Sequence, residues 1–398
     1  MDIPLFKVFM SPDALLPVRD VLTSGQLTQG PRVEEYENRL GEYLGNPRVL
    51  SLNSATAGLT LALKMCDLQE GDVVLTPALT CWATTSAILA NQYTPKWIDV
   101  DPLTSNVCLK DIKRKLSPKI KVIVVVHWGG NPVDLDGLRE LQDYSEQEFG
   151  FRPQIVEDCA HAFGAEFGGR KIGAHGNICV FSTQAIKLLT TGDGGVITLP
   201  TQELYDRCKL LRWYGIDRDK RNYGGKDFRL ENDISESGFK FHMNDINATL
   251  GLANLPNIPE LLEKNRKNAE FLTANLSGRE DIKPIVPQAG SSNWLYTVRV
   301  TGGKKQKFMD DMKKRGVMTS QVHNRNDINS CVARFKEPLP QLDQFEKEMV
   351  CIPVGWWLSA DQLRAIVGRP RVAIQYCGLV RGFKFEKTRD KIYENLIK

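Results

Sequence analysis

Short runs of apolar and β-branched residues alternate with segments of helical periodicity along the first 255 residues. Strands are predicted at 73–77, 96–100, 121–127, 154–158, 178–182 and 195–199. Helices are predicted between them at 55–65, 84–91, 109–116 and 135–149. Several of the strands are apolar at nearly every position, which is typical of strands buried on both faces of a mainly parallel sheet. The alternation therefore predicts an α/β domain.

A ligand-binding site is expected at one edge of this sheet. In α/β sheets, ligands bind outside the carboxyl ends of the strands. The residues that follow positions 77, 127, 158 and 182 are therefore the first candidates for a site.

The alternation of predicted strands and helices changes after about residue 251. A long charged helix is predicted at 260–276, a strand at 292–300 and a helix at 305–315. We expect a large domain over residues 1–255, with the N-terminal segment, and a smaller α+β domain over 256–398. The charged, glycine-containing segment 217–236 is predicted to be a mobile loop or lid.

Composition excludes several classes of protein. The 398 residues are 42% hydrophobic and 25% charged, with a net charge of +4, which is ordinary for a globular protein and too weak to indicate nucleic-acid binding. The sequence contains no stretch of about 18 apolar residues, so no membrane span is predicted. The N-terminus does not resemble a secretory signal. The nine cysteines form no CxxC pair and no zinc-like cluster, so we expect a reduced, cytoplasmic chain without a metal.

The stretch from 155 to 195 carries most of the chemistry. Asp158 ends one buried strand, Ser182 ends another, and Lys187 precedes the glycine-rich sequence TTGDGG. A lysine that attacks a carbonyl needs a lowered pKa, and the apolar neighbours of Lys187 favour that. A carboxylate can keep a pyridine nitrogen protonated. Each also has an ordinary interpretation, Lys187 as a surface lysine and Asp158 as a helix cap.

A possible anion site precedes the first strong helix. Ser54, Ala55, Thr56, Ala57 and Gly58 follow an apolar segment and begin the helix. Small and hydroxyl residues at a helix N-terminus leave free N–H groups that can bind phosphate, although Ser54 or Thr56 could simply cap the helix. A phosphate cradle, a partner for a ring nitrogen and a reactive amine together match what pyridoxal phosphate requires.

At this point the sequence resembles a known family, the DegT/DnrJ/EryC1/StrS sugar aminotransferases. The resemblance runs from about residue 27 to 255 and more weakly beyond. Its most specific segments are IVEDCAHAFGAEFGGRKIG and FSTQAIKLLTTGDGG, supported by NSATAGLTLAL, VVVHWGGNPVDLDGL, RWYGIDRD and GFKFHMNDINATLGL. It implies the aspartate-aminotransferase-like fold (fold type I) and pyridoxal phosphate as cofactor, with the pyridoxamine form arising during the reaction.

The resemblance also implies roles for individual residues. Lys187 would carry the cofactor as a Schiff base, Asp158 would pair with its pyridine nitrogen, and His161 would contact its ring hydroxyl. The phosphate would be held by Ser182 together with Ala55, Thr56 and Ala57. The family's members are homodimers with sites shared between subunits.

Two positions depart from the family pattern. Relatives usually carry an aromatic residue or histidine where this chain has Cys81; either Cys81 or the neighbouring Trp82 would then cover the ring, unless Trp82 belongs to the core. Relatives often place an asparagine for the other subunit's phosphate in the segment where this chain has Lys240 and His242.

The resemblance implies transfer of an amino group from L-glutamate to a nucleotide-linked keto-sugar. Candidate contacts to the substrate are Arg212, Tyr214, Arg218, Lys240, His323 and Arg325. The segment RWYGIDRD resembles enzymes that aminate C4 of a 4-keto-6-deoxy sugar, as perosamine synthases do, so C4 is preferred over C3. A sugar dehydratase is disfavoured because Lys187 is retained. A non-catalytic regulator and a dinucleotide-binding oxidoreductase are further alternatives, the latter without a GxGxxG motif.

Overall fold

A seven-stranded sheet forms the centre of the structure, a computed structural model that describes residues 2–218 and 233–368. Its strands are β1 (Val49–Leu52), β2 (Val73–Pro77), β3 (Thr94–Ile98), β4 (Ile120–Val126), β5 (Gln154–Asp158), β8 (Ile178–Ser182) and β9 (Gly195–Thr198). Between β5 and β8 lies a small hairpin of β6 (Glu166–Phe167) and β7 (Arg170–Lys171). The order across the large sheet is β1-β9-β8-β5-β4-β2-β3, and only β9 runs against the others. The predicted α/β class with a mainly parallel sheet is confirmed.

Helices cover this sheet and continue into the rest of the chain. They are α1 (Leu15–Ser24), α2 (Pro31–Leu44), α3 (Ala55–Lys64), α4 (Trp82–Ala90), α5 (Leu109–Lys115), α6 (Leu135–Phe149), α7 (Gln202–Leu211), α8 (Asp245–Asn254), α9 (Ile258–Leu276), α10 (Lys305–Lys314), α11 (Pro340–Glu348) and α12 (Ala360–Val367). No helix within the described ranges is long and apolar enough to cross a lipid bilayer.

A second sheet is antiparallel and has three strands. They are β10 (Ile282–Pro284), β11 (Tyr296–Val300) and β12 (Met349–Ile352), in the order β10-β11-β12. The strand predicted at 292–300 is shorter than expected because its first residues leave the sheet. Ser292 and Leu295 instead donate backbone hydrogen bonds to the carbonyls of Gly130 and Gly129, which fastens this loop to the turn after β4.

Helix α9 connects the two halves of the chain. Ile258 and Leu261 pack in the core beneath the large sheet, whereas Leu272 and Leu276 pack with the three-stranded sheet. Ile3 also joins this second core and pairs with Val317. The division between residues 255 and 256 stays a prediction. Residues 219–232 of the predicted lid lie outside the described residues.

A glycine brings α3 against the sheet. A Cβ on Gly195 would lie 2.4 Å from the backbone carbonyl carbon and oxygen of Ser54, closer than any side chain allows. Ser182 pairs with Gly195 across β8 and β9. The absence of a side chain at residue 195 therefore places the start of α3 beside the carboxyl end of β8.

Candidate active site

Lys187 lies in the loop between β8 and β9, at the edge where the parallel strands end. Its amine is 3.7 Å from the centre of the Trp294 ring. Burial lowers the pKa of Lys187 to about 8, while the negative charge of Asp158 opposes that change. An amine with this pKa has a reactive neutral fraction near neutral pH.

Asp158 ends β5 and is buried beside this amine. One of its oxygens accepts a hydrogen bond from the Thr84 hydroxyl at 2.7 Å, and the other accepts from the Ala160 N–H at 3.1 Å. Burial raises the pKa of Asp158, and the charge of Lys187 partly offsets this. The carboxylate is thus fixed in position and would be stabilised further by a cation facing it.

His161 lies three residues after Asp158 and is held as a neutral imidazole. Its Nδ1 accepts a hydrogen bond from the Gly129 N–H at 3.3 Å, so the proton of the neutral ring is on Nε2. The ring stacks on Trp294 with centroids 4.1 Å apart. Burial and the nearby charge of Lys187 keep the pKa of His161 well below its usual value.

His323 comes from the C-terminal part of the chain and joins the same cluster. Its ring is nearly parallel to that of His161, with centroids 5.7 Å apart, and Trp128 contacts both rings edge-on. Burial lowers the pKa of His323 to about 4. Its Nε2 is buried and has no hydrogen-bond partner among the described residues, so a ligand in the cleft can bind it.

The anion site is predicted at the start of α3. Ser54 caps the helix by accepting from the Ala57 N–H at 3.1 Å. The first N–H groups of a helix, here those of Ala55 and Thr56, have no carbonyl partner within it. Ser182 is buried at the end of β8 and pairs with Gly195, which lies against Ser54. Ser182 is therefore close to the start of α3.

These groups fit pyridoxal phosphate. The start of α3 can hold the phosphate of the cofactor, and Asp158 can pair with the nitrogen of its ring. The amine of Lys187 can bind its aldehyde. All three groups lie at one edge of the sheet. The residue that covers the ring remains a prediction. Cys81 is partly buried, whereas Trp82 is 37% exposed at the start of α4, which excludes the alternative that Trp82 is a core residue.

Arg212, a candidate for substrate binding, is placed differently. Its guanidinium is buried and forms an ion pair with Glu37. It also donates to the Ser51 carbonyl at 3.0 Å, and Glu37 accepts from the Ser51 N–H at 2.8 Å. The interaction ties α7 to α2 and β1, so we assign Arg212 a structural role and do not retain it as a substrate contact.

We expect Arg212→Ala to destabilise the fold by about 3 kcal/mol, because it leaves the partly buried carboxylate of Glu37 without its partner. Urea unfolding followed by circular dichroism measures this. The matched control is Arg39→Ala, which breaks an exposed pair with Glu42 and should cost less than about 1 kcal/mol. A rise in KM for the sugar with unchanged stability would instead support substrate binding.

Arg325 is likewise held by carboxylates. It forms two hydrogen bonds of 2.7 Å with Asp327 and an ion pair with Asp343. These hydrogen bonds raise the pKa of Arg325. Its five donors are largely occupied, so nothing in the structure directs it toward a substrate.

The remaining substrate candidates lie together beside the end of β1. Tyr214 is 41% exposed and has a positive φ of 61°. Arg218 stacks on Trp213 at 4.7 Å, and its Nη1 is buried with no hydrogen-bond partner among the described residues. His242 also contacts Trp213, with centroids 3.9 Å apart, and burial lowers the pKa of His242 to about 4. Lys240 is exposed and pairs with Trp213 through the backbone.

A second buried cluster contains His127, Glu157 and Cys159. His127 Nδ1 accepts from the Val133 N–H at 2.9 Å, and its Nε2 bonds to Glu157 at 2.8 Å. Both ring nitrogens are therefore used within the protein. We interpret the cluster as a structural hydrogen-bond network that holds the turn after β4.

Sequence reasoning missed the aromatic residues of the site. Trp294 was included in a predicted strand, and Trp128 follows β4 in a glycine-containing turn. A single tryptophan in an apolar segment carries no signal of its own. The one available indication for Trp128 was its position directly after a buried parallel strand.

Comparisons with known proteins agree with this geometry. A family model described as "DegT/DnrJ/EryC1/StrS aminotransferase family" matches residues 10–370. The structure is similar to AtS13 from Actinomadura melliaura, with 46% identity, a TM-score of 0.88 and coverage of 92% of this chain and 98% of that one. It is also similar to the sugar aminotransferase CalS13 from Micromonospora echinospora, with 44% identity and the same TM-score and coverage.

A more distant structure bears on the cofactor. The putative sugar aminotransferase Spr1654 from Streptococcus pneumoniae in its PLP form has 26% identity and a TM-score of 0.84, over 92% of this chain and 97% of that one. The same protein is known in a PMP form and an apo form.

Proposed function

Because the chain belongs to the DegT/DnrJ/EryC1/StrS aminotransferase family, whose members are pyridoxal-phosphate-dependent sugar aminotransferases, we propose that it moves an amino group from L-glutamate to C4 of a nucleotide-linked 4-keto-6-deoxy sugar. The product would be an amino sugar for polysaccharide or glycan synthesis. The observation that carries the proposal is the low-pKa amine of Lys187 beside the buried carboxylate of Asp158.

The site residues divide the work of holding the cofactor. Ser182 and the N–H groups of Ala55 and Thr56 would bind the phosphate, with Ala57 beside them, whose own N–H donates to Ser54. Asp158 would pair with the ring nitrogen and is itself oriented by Thr84 and Ala160. When bound, pyridoxal phosphate supplies an electron-withdrawing ring that delocalises the charge of the reacting carbon.

The chain's own groups then handle the protons. The neutral amine of Lys187 would accept the proton from the reacting carbon of the amino donor. It would then deliver this proton to C4′ of the cofactor. His161 is neutral and carries its proton on Nε2, so it can donate to an oxygen on the ring. The buried Nε2 of His323 is available to a polar group of the substrate.

The substrate's nucleotide would bind at the group beside β1. Arg218 has an unpaired buried Nη1 among the described residues, and guanidinium groups bind diphosphates well. Tyr214, Lys240 and His242 each contact Trp213, the residue on which Arg218 stacks. The preference for C4 is supported only by the resemblance of the segment RWYGIDRD to enzymes that aminate C4.

The position of amination can be tested directly. Purified protein is incubated with L-glutamate and either a nucleotide-linked 4-keto-6-deoxy sugar or its 3-keto isomer, and the product is analysed by NMR. We expect a new C–N bond at C4 with one 2-oxoglutarate released per amine formed. Amination at C3 alone would show that the sugar position is wrong, and loss of a hydroxyl without 2-oxoglutarate would identify a dehydratase.

We further propose a homodimer in the cytoplasm. Leu15, Leu16 and Leu22 on α1 are 76%, 62% and 53% exposed, and Val8 and Met10 before it are 46% and 43% exposed, which is the kind of apolar patch that a second copy covers. All eight cysteines within the described ranges are free, which suits a reducing compartment.

A further inference from the structure

Trp294 lies against the reactive amine, and nothing above assigns it to the reaction. We propose that the indole face of Trp294 binds the ammonium form of Lys187 whenever this lysine is not joined to the cofactor, and so sets the pH at which the amine becomes neutral. The inference rests on the proposed function, since it takes Lys187 to be the lysine that is repeatedly released and rejoined. Its geometric basis is the 3.7 Å between Nζ and the ring centre.

The indole is held rigidly in this position. Its Nε1 donates to the carbonyl of Ile186 at 2.9 Å, the residue directly before Lys187. Phe6 and His161 both stack on it, with centroids 4.7 and 4.1 Å away and interplanar angles of 21° and 23°. Its loop is fixed to the turn after β4 by the hydrogen bond from Leu295 to Gly129. A ring fixed in this way offers its face to the amine without an entropic cost at each turnover.

Few other groups near the amine can stabilise its positive charge. Asp158 attracts it, while His161 and His323 are neutral because burial keeps the pKa of each imidazole low. Asp158 accepts two hydrogen bonds and keeps its negative charge, so the indole adds to the attraction from Asp158 and does not replace it. The negative face of an indole attracts an ammonium group most strongly when both are desolvated. Trp294 is 6% exposed and Lys187 is partly buried, so the two groups are largely removed from water.

Two roles of the indole predict opposite changes in the pKa of Lys187. If its face attracts the ammonium, then removing the aromatic ring should lower the pH at which the amine loses its proton. If it only excludes water, then a smaller side chain should admit water and raise that pH. The sign of the change therefore separates a specific interaction from simple packing.

The test compares Trp294→Phe with Trp294→Leu in the full-length chain after removal of the cofactor. Both variants lose the hydrogen bond to Ile186 and only Phe keeps an aromatic face, so they form a matched pair. Carbamylation by cyanate, which reacts with neutral amines and is small enough to enter the cleft, is followed against pH, and peptide mass spectrometry quantifies Lys187. We expect the inflection of the Leu variant to lie about 0.5–1 pH unit below that of the Phe variant.

Controls make each outcome decisive. Phe6→Leu removes the neighbouring ring without removing the face under the amine, so its inflection should match that of the unmodified chain. Equal inflections for the Phe and Leu variants, a higher inflection for Leu, or the same lowering with Phe6→Leu would overturn the proposal. Borohydride labelling of the unmodified holoenzyme is measured separately: failure to find the cofactor on Lys187 contradicts the proposed function, whereas the cyanate comparison judges Trp294.

Discussion

Replacing Lys187 by alanine should reduce the rate of amino transfer by at least about 10⁴-fold, since both the covalent attachment point and the proton carrier are lost. The fold should survive. Burial lowers the pKa of Lys187 to about 8, below its unfolded value, so protonating it in the cleft costs stability at every pH below about 8, and this cost disappears as the pH rises toward 10.5. Alanine removes a penalty of about 3 kcal/mol at neutral pH, against which the lost contacts of the side chain act.

The measurement combines activity with labelling. Steady-state turnover with glutamate and a keto-sugar is compared with the melting temperature, which we expect to change by only a few degrees. Borohydride should attach the cofactor to Lys187 of the unmodified chain and leave the variant unlabelled. Lys264→Ala replaces an exposed lysine that pairs with Glu260 on α9; it serves as the lysine-to-alanine control and should be fully active. A Lys187→Ala variant that transferred nitrogen at the normal rate would refute the assignment.

The central sheet and its edge could be predicted because their signals are local. A strand buried on both faces is mostly apolar, and this pattern together with the residues that flank it predicted β2, β5 and β8 residue for residue, although β5 also contains Glu157 and Asp158. Ligand-binding residues follow the carboxyl ends of such strands, which identifies Asp158 and Ser182 and directs attention to Lys187. The family motifs then added the cofactor. The predicted strand at 96–100 lies two residues too late because the apolar pattern continues past the ladder to Val100, which pairs with Val107 instead.

What sequence reasoning missed depends on contacts between distant parts of the chain. Arg212 resembles an exposed substrate contact in its segment, but it is buried and its partner Glu37 is 175 residues away. Trp294 reaches Lys187 from a loop more than 100 residues later, held by Gly129 and Ile186. His323 was expected at the substrate surface with Arg325, yet it lies beside His161. The order of residues along the chain does not show which distant residues come into contact in the fold.

Asp158→Asn should lower turnover on the order of 10²- to 10³-fold while leaving the fold and the phosphate contacts in place. The carboxylate is the only described charged group placed to favour protonation of a ring nitrogen at the end of β5, and the amide has nearly the same shape without the charge. Burial raises the pKa of Asp158, so its ionised form reduces the stability of the fold above the unfolded pKa, and a neutral amide relieves this cost. Thr84 can accept from the new amide and donate to Thr80, which lies 2.9 Å away.

The matched control for this variant is Thr84→Val, which removes a hydrogen bond from Asp158 but keeps its charge. If the charge is what matters, turnover of Thr84→Val should fall by on the order of tenfold, less than that of Asp158→Asn, since one hydrogen bond to a charged group contributes about 1.5 kcal/mol or more and the charge itself is kept. Single-turnover kinetics with glutamate separate the chemical step from sugar binding, and near-ultraviolet circular dichroism of the bound cofactor checks that it is retained. If Asp158→Asn kept its rate, or if both variants lost activity equally, the carboxylate would be needed for packing rather than for the reaction. Such a result would contradict the role given to Asp158 and leave the role given to Lys187 unaffected.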